Sequence, residues 1–375
     1  MPCEVHTPVP STPGNALQLA VCRFGRAGAR PKAYIQAAMH ADEVPAMLVA
    51  AHLRALLEKA DTDGRISGEI ILVPQANPLG GAQELLGHHL GRYHLPSGRN
   101  FNRHWPDASA AVCARRETFG DDPAANVLRV RDIVREWLAA FTPKQPDEYL
   151  KHFLMTLAHD ADVVLDLHTD AEALLHLYVD KDRWPDLAPL AALLDAQVVM
   201  LCRDSGGNAF EETVAAPYIA LREAGVAVDL PDTVTVELRG AQDVSDDLAA
   251  RDAAALYAWL VHRGVIAAAE NDPHARSIPT FTGLAAPFAA TEPVRAPVGG
   301  LVIFTRPLSA MIETGETIAE ILDPQTGMRT PAPAQTSGLL FTRTLHKWVQ
   351  PGAVIAKIQG KTPLPDRTPG QMMTD

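Results

Sequence analysis

The sequence lacks the features that mark several large functional classes. Among its 375 residues only four are cysteines. Cys3, Cys22, Cys113 and Cys202 form no C-x-x-C pair, which argues against a cysteine-ligated metal and leads us to expect a reduced compartment. Any metal must then be held by histidine and carboxylate. Basic charge is in deficit: 33 Lys and Arg against 45 Asp and Glu leave a net charge of −12. That sign repels phosphate backbones and anionic lipid, so neither a nucleic acid nor a membrane surface is expected as partner. No stretch reaches the ~18 apolar residues that span a bilayer. The opening MPCEVHTPVPSTPGN has no basic segment followed by an apolar run. These absences lead us to expect a cytoplasmic protein. What is present is a 47% apolar fraction, enough for a sizeable core in about two domains. Fourteen histidines stand out, because histidine is the commonest metal ligand and carries protons near neutrality.

From residue 30 to about 265, short apolar runs alternate with helical patterns, the signature of an α/β domain on a mixed, mainly parallel sheet flanked by helices. Residues 33–39 and 69–73 read as strands, and Val44, Met47, Leu48, Ala51 and Leu56 fall at helical spacing between them. Asn77-Pro78-Leu79-Gly80-Gly81 reads as a turn. A helix over 147–157 leads into the near-continuous apolar run 161–167, which suits a central strand covered on both faces. Further strands are expected at 173–179, 197–202 and 233–238, followed by a helix opened by Asp243, Asp246 and Asp247. After about residue 270 prolines recur and helical periodicity fades. Two similar segments follow, one starting at Gly300 and turning at Gly315, the other starting at Gly338 and turning at Gly352. Such a repeat predicts a small all-β sandwich with approximate two-fold symmetry. We therefore expect a catalytic domain over 1–285 and a C-terminal sandwich over 290–365 that resembles the biotinyl and lipoyl carrier fold. A carrier presents a lysine at a hairpin tip. Here the sequence between the copies is Met328-Arg329-Thr330, and Lys347 lies inside the second copy, which points to a structural or covering role, or to homo-oligomer assembly.

His40-Ala41-Asp42-Glu43 stands where the first strong strand meets the first strong helix. The His-x-x-acid spacing occurs at His40, His104 and His159, little above the roughly two expected by chance, so spacing alone is weak. Position separates them, because ligands of open α/β sheets bind beyond the carboxyl ends of strands, where His40 lies. His168 occupies the same kind of place, after the run that ends in Asp166-Leu167. Asp166, two residues earlier, could orient an imidazole. Glu237 interrupts the β-branched strand Thr233-Val-Thr-Val-Glu-Leu-Arg239, where a carboxylate is costly to bury unless paired or used. Two histidines and one glutamate supply three ligands for a tetrahedral zinc with an open fourth position, leaving Glu237 as general base. The segment Gly91–His104 adds Arg92, Arg99 and Arg103 with Asn100 and Asn102; arginine grips a carboxylate through paired hydrogen bonds. Arg203-Asp204-Ser205-Gly206-Gly207-Asn208 follows another strand on the same side, where it could contact an acyl group.

Taken together, His40-x-x-Glu43, Asn102-Arg103, His168 and Glu237 resemble the zinc carboxypeptidase fold, specifically its succinylglutamate desuccinylase/aspartoacylase branch. The resemblance implies that His40, Glu43 and His168 bind one zinc ion per chain and that Glu237 is base and proton shuttle. It implies that Asn102 and Arg103 hold a substrate carboxylate, and that Arg92, or its rival Arg99, stabilises the oxyanion or helps bind substrate. The expected reaction is hydrolysis of the amide of a small N-acyl amino acid or related N-acyl amine. The alternatives are a metallocarboxypeptidase acting on short peptides and a catalytically inactive binding protein. Two departures stand out: Ala41-Asp42 replaces the Gly-Asn typical of aspartoacylases, and Glu237-Leu238-Arg239 is closer to the peptidase style.

Overall fold

The computed structural model describes residues 3–269, 272–274 and 277–367. Its centre is a nine-stranded sheet made of β1 (Cys3–His6), β2 (Leu19–Gly25), β3 (Lys32–Ala37), β4 (Glu69–Val73), β5 (Val163–Asp170), β6 (His176–Val179), β7 (Val198–Leu201), β8 (Asp232–Gly240) and β9 (Leu284–Pro287). Their spatial order is β1-β2-β4-β3-β5-β8-β6-β7-β9. Strands β4, β3, β5 and β8 run parallel. The trio β6, β7 and β9 is parallel internally and antiparallel to β8, and β1 and β2 close the other edge antiparallel. The expected mixed, mainly parallel sheet is therefore present.

Six long helices cover it: α1 (Pro45–Thr62), α2 (Pro123–Ala140), α3 (Pro146–Ala158), α4 (Trp184–Leu193), α5 (Phe210–Glu223) and α6 (Asp246–His262). The first three open with proline in the first turn, where its missing N–H costs nothing. Ser245 caps α6 by accepting from Leu248 N, and two aspartates follow where the helix dipole favours them. The expected turn after β4 is a single helical turn, Pro78–Gly81. Asn77 caps that turn, accepting from Gly80 N (2.8 Å), and donates to Met39 O (2.8 Å).

Strand alternation decides where chemistry can sit. Val163, Leu165 and Leu167 of β5 and Val234, Val236 and Leu238 of β8 pack into one apolar layer with α1, α4 and α6. Val164 belongs to the opposite layer, with α2, α3 and α5. The intervening residues, Asp166 and His168 on β5 with Thr235 and Glu237 on β8, thus face the second layer. They lie at the carboxyl ends of the strands, beyond its apolar part.

The C-terminal strands are β10 (Thr291–Arg295), β11 (Gly300–Phe304), β12 (Met311–Ile312), β13 (Thr317–Leu322), β14 (Arg329–Pro333), β15 (Gly338–Arg343), β16 (Trp348–Val349) and β17 (Val354–Gln359). One sheet runs β14-β13-β11-β16; the other contains β15-β17-β10, with β12 also on β15. The short strands are exchanged, β12 of the first repeat pairing with β15 of the second and β16 of the second with β11 of the first. This reciprocity gives the repeat its two-fold form. Gly315 and Gly352 turn at corresponding places with φ of 85° and 81°, a region that favours glycine. Lys347 is held down by Glu172 Oε1 (2.7 Å).

The cysteines require a correction. Cys3 lies opposite Cys22 in the β1–β2 register, and a disulfide joins them; the chain between them, at a sequence separation of 19, folds into a return that spacing alone did not reveal. Cys113 and Cys202 are free. Denatured, unreduced protein is therefore expected to yield two titratable thiols and reduced protein four; four before reduction would contradict the β1–β2 bond.

Candidate active site

His40 lies three residues past β3, in a loop closed by Glu43 N donating to His40 O (3.1 Å). This brings His40 Nδ1 to 2.8 Å from Glu43 Oε1. From β5, His168 Nδ1 approaches Glu43 Oε2 to 2.7 Å, and Thr169 N donates to the same oxygen (3.0 Å). All three side chains are buried, and one ligand atom from each lies within 4.8 Å of the others. The far ring nitrogens are anchored: His40 Nε2 meets Asn100 Oδ1 and His168 Nε2 meets Asp166 Oδ2, each at 2.9 Å. Asp166 in turn accepts from Gln36 Nε2 (3.0 Å). Two imidazoles oriented from behind and one carboxylate match the donor set and outer support of a zinc site with an open position.

Charge coupling holds this group together. Burial lowers the pKa of His40, and Arg92 lowers it further, so the ring favours its neutral, ligating form. Burial opposes charge on Glu43, but His40 and His168 prevail and hold its carboxyl well below the usual range. Burial also opposes charge on His168, where Asp166 and Glu43 prevail and hold the ring well above the usual range.

Glu237 is the register neighbour of His168 across β5 and β8. The register slips just after it, with Arg239 at φ 71°, a bulge that turns Arg239 away to pair with Asp252 of α6. Glu237 Oε2 is buried with no hydrogen-bond partner among the described residues. Burial first, then Glu43, pushes this carboxyl up to about 8.

Arg92 reaches the group because of Gly91. A Cβ there would sit 2.1 Å from Asp42 N, so only glycine lets this loop press onto the 41–42 backbone, where Ala41 N donates to Gly91 O (3.1 Å). Arg92 Nη1 then donates to Glu43 Oε1 (3.0 Å). Arg103 is buried beside it and donates to Asn102 O (2.7 Å). The Arg203–Asn208 segment buttresses Arg103 through Gly207, where a Cβ would strike Arg103 Cδ at 2.5 Å. Asn102 is largely committed: Oδ1 accepts from Trp105 Nε1 (2.8 Å) and Phe210 N (3.1 Å), while Nδ2 faces Asp166 and His168 (3.2 and 3.1 Å). That leaves at most one N–H for a ligand.

Arg99 is not brought into the group. It turns to the start of α3, near Glu148 Oε1 (3.1 Å) and Asp147 Oδ2 (3.5 Å), where acids at a helix N-terminus hold it. Of the two arginines, Arg92 reaches Glu43 and Arg99 does not. Among the residues not singled out in the sequence, Glu211 of α5, Tyr178 of β6 and Lys357 of β17 line the cavity, which is about 60 Å³. Lys357 Nζ donates to Asp170 Oδ2 (2.6 Å) at the end of β5. Its signal was present, since a lysine inside Val-Ile-Ala-Lys-Ile-Gln is as conspicuous as Glu237 in its own strand. Glu211 looks like any acid in a first helical turn.

Residues 29–263 match the succinylglutamate desuccinylase/aspartoacylase catalytic domain. Among solved structures, a succinylglutamate desuccinylase/aspartoacylase family protein from Shewanella amazonensis is 25% identical, with 96% of this chain and 98% of that chain covered at a TM-score of 0.81. A counterpart from Shewanella frigidimarina is 23% identical over 95% and 96% of the two chains, with a TM-score of 0.80. A product-bound ectoine utilization protein from Ruegeria pomeroyi is 19% identical over 93% and 89%, with a TM-score of 0.62. The last two speak to the fold alone. No curated protein matches. No helix among the described residues is long and apolar enough to cross a membrane.

The raised pKa of His168 sets a test. Asp166 and Glu43 favour the protonated ring, with Nδ1 facing Glu43, and ligation requires that proton to leave. Zinc uptake by metal-free protein at about pH 6.5 should release roughly one proton per ion, read from the buffer dependence of the calorimetric heat. Affinity should rise about tenfold per pH unit until His168 titrates. Uptake without proton release would contradict ligation by His168.

Proposed function

We propose that this chain, which belongs to the succinylglutamate desuccinylase/aspartoacylase family, is a zinc-dependent hydrolase that cleaves the amide of a small N-acyl amino acid or related N-acyl amine. The observation that carries this reading is the convergence of His40, Glu43 and His168 beside a Glu237 oxygen that has no partner among the described residues. A zinc ion held by His40, Glu43 and His168, one per chain, would supply Lewis acidity toward a carbonyl and lower the pKa of water.

The rest falls to the protein's own groups. Glu237, the register neighbour of His168 with one buried oxygen that has no partner among the described residues, is suited to take a proton from water and hold it for the leaving nitrogen. Water oxygen bonds to the acyl carbon, the C–N bond breaks, and the nitrogen departs with the proton that Glu237 held. Carboxylic acid and amine result, with atoms and charge conserved. Arg92, fixed by its hydrogen bond to Glu43, offers its remaining N–H groups to the oxygen on which negative charge develops. Arg103 supplies a buried cation for the substrate carboxylate, and Asn102 links that cation's loop to the support of His168. Burying both partners in a small cavity strengthens such a charge-assisted contact.

Glu237→Gln tests the assignment. The expected result is a fall of about 10²–10⁴-fold in turnover of the best N-acyl amino acid, with zinc content near one per chain. Retained turnover would remove Glu237 from its role. Assays on acetyl- and succinyl-amino acids beside unblocked peptides test the reaction itself: deacylation is expected, and cleavage of the peptides alone would replace this reading with a metallocarboxypeptidase.

A further inference from the structure

One peptide unit beside the catalytic group is gripped from both sides. The C=O of Arg103 accepts from Lys151 Nζ (2.7 Å), and the N–H of His104, across the same peptide bond, donates to Gly207 O (2.8 Å). His104 then takes φ 56°, a left-handed conformation that is costly for a residue with a Cβ and persists where its surroundings hold it. The grip falls on a residue that faces the substrate. Arg103 lines the catalytic cavity, its Nη1 donates back to Asn102 O (2.7 Å), and Gly207 lies close against its Cδ. With the side chain folded so closely onto its own backbone, the aim of the guanidinium follows the plane of that peptide.

Lys151 is a costly residue for this task. It sits in α3, 2% exposed, and an ammonium so buried needs a counter-charge. Asp147, one helical turn earlier and 1% exposed, supplies it at 3.7 Å. Neither oxygen of Asp147 has a hydrogen-bond partner among the described residues; the carboxylate faces Lys151, Arg99 (3.5 Å) and His94 (3.9 Å) as a charge. Arg99, also paired with Glu148, ties the other end of the stretch to the same helix. Between the two fixings stand Asn100 and Asn102, which meet His40 and His168. Both have supports of their own: Asn100 Oδ1 accepts from Asn102 N (2.8 Å), and Asn102 Oδ1 accepts from Trp105 Nε1 and Phe210 N. Loss of the Lys151 bond would therefore reach Arg103 first and leave the imidazoles supported.

We propose, resting on the deacylase reading above, that Lys151 is a positioning residue: its bond to Arg103 O aims the Arg103 guanidinium at the carboxylate of the substrate, with Asp147 as the counter-charge that keeps Lys151 in place. Lys151 does not line the catalytic cavity and acts through Arg103. The first turns of α3 thereby take part in selecting substrates that carry a carboxylate.

Lys151→Met tests this on zinc-loaded protein with two substrates, the best N-acyl amino acid and its decarboxylated N-acyl amine. Loss of a hydrogen bond from a charged donor should lower kcat/KM at least about tenfold on the amino acid substrate, mainly through KM, and less than about twofold on the amine. Zinc should stay near one per chain. Asp147→Asn should act in the same direction by a smaller factor, and it decides alone if Lys151→Met does not fold. Equal loss on both substrates, departure of zinc, unchanged kinetics, or a wild-type protein indifferent to the carboxylate would overturn the positioning role and leave the deacylase standing. If no N-acyl substrate is cleaved, the deacylase reading fails and calorimetry decides Lys151. Weaker binding of the free amino acid by Lys151→Met, with binding of the amine unchanged, sustains the role; no binding, or equal weakening, overturns it.

Discussion

The site depends on one buried carboxylate. Glu43 is almost fully withdrawn from water, a position that would be costly without compensation. Both oxygens are served: Oε1 by Arg92 and His40, Oε2 by Thr169 N and His168. Satisfying four groups at once fixes three separate stretches of chain. The loop after β3 must turn back at His40, β5 must end with His168 facing the same way, and the loop at Gly91 must approach to backbone contact. A metal at this carboxylate would inherit that order rather than create it.

The sandwich enters the same network. On β5, Asp166 supports His168 from behind, and Asp170, two residues further on, faces Lys357 of β17. The two-residue strand Glu172–Ala173 then pairs with β15, and Glu172 receives both Arg343 and Lys347. The segment leaving the site is thus held by three cations of the C-terminal strands within five residues of His168. Tyr178, Phe288 and Phe341 add an apolar seam between the two sheets. The sandwich therefore helps set the end of β5 and does not merely hang beside it.

The part of this arrangement legible in the sequence is the part written locally. The apolar runs of β3, β5 and β8, and the polar residues that interrupt or end them, located His40, His168 and Glu237 without any structure. The same reasoning would have found Lys357, but a residue so far along the chain has no sequence cue that its strand docks beside β5. The sequence ranks Arg92 ahead of its rival Arg99 without showing which of them reaches the group. What separates them is the contact of Gly91 with residues 41–42, which only three dimensions reveal. Cys3 and Cys22 were hidden for the same reason, since their pairing depends on how β2 returns along β1.

Charge explains why the site takes the protonation state it does. Around the cavity stand five carboxylates, Glu43, Asp166, Asp170, Glu211 and Glu237, against three permanent cations, Arg92, Arg103 and Lys357. The two uncompensated negative charges lie in a space too small for much water, where repulsion is poorly screened. Protons are the compensation available to the protein itself: the pKa of His168 is held well above its usual value, and burial with neighbouring acids raises Glu211 and Glu237. A divalent cation carries the two missing charges and can displace the proton that His168 holds. The same excess disfavours a further carboxylate until a cation is bound, so metal and anionic substrate are expected to bind in that order, each reinforcing the other.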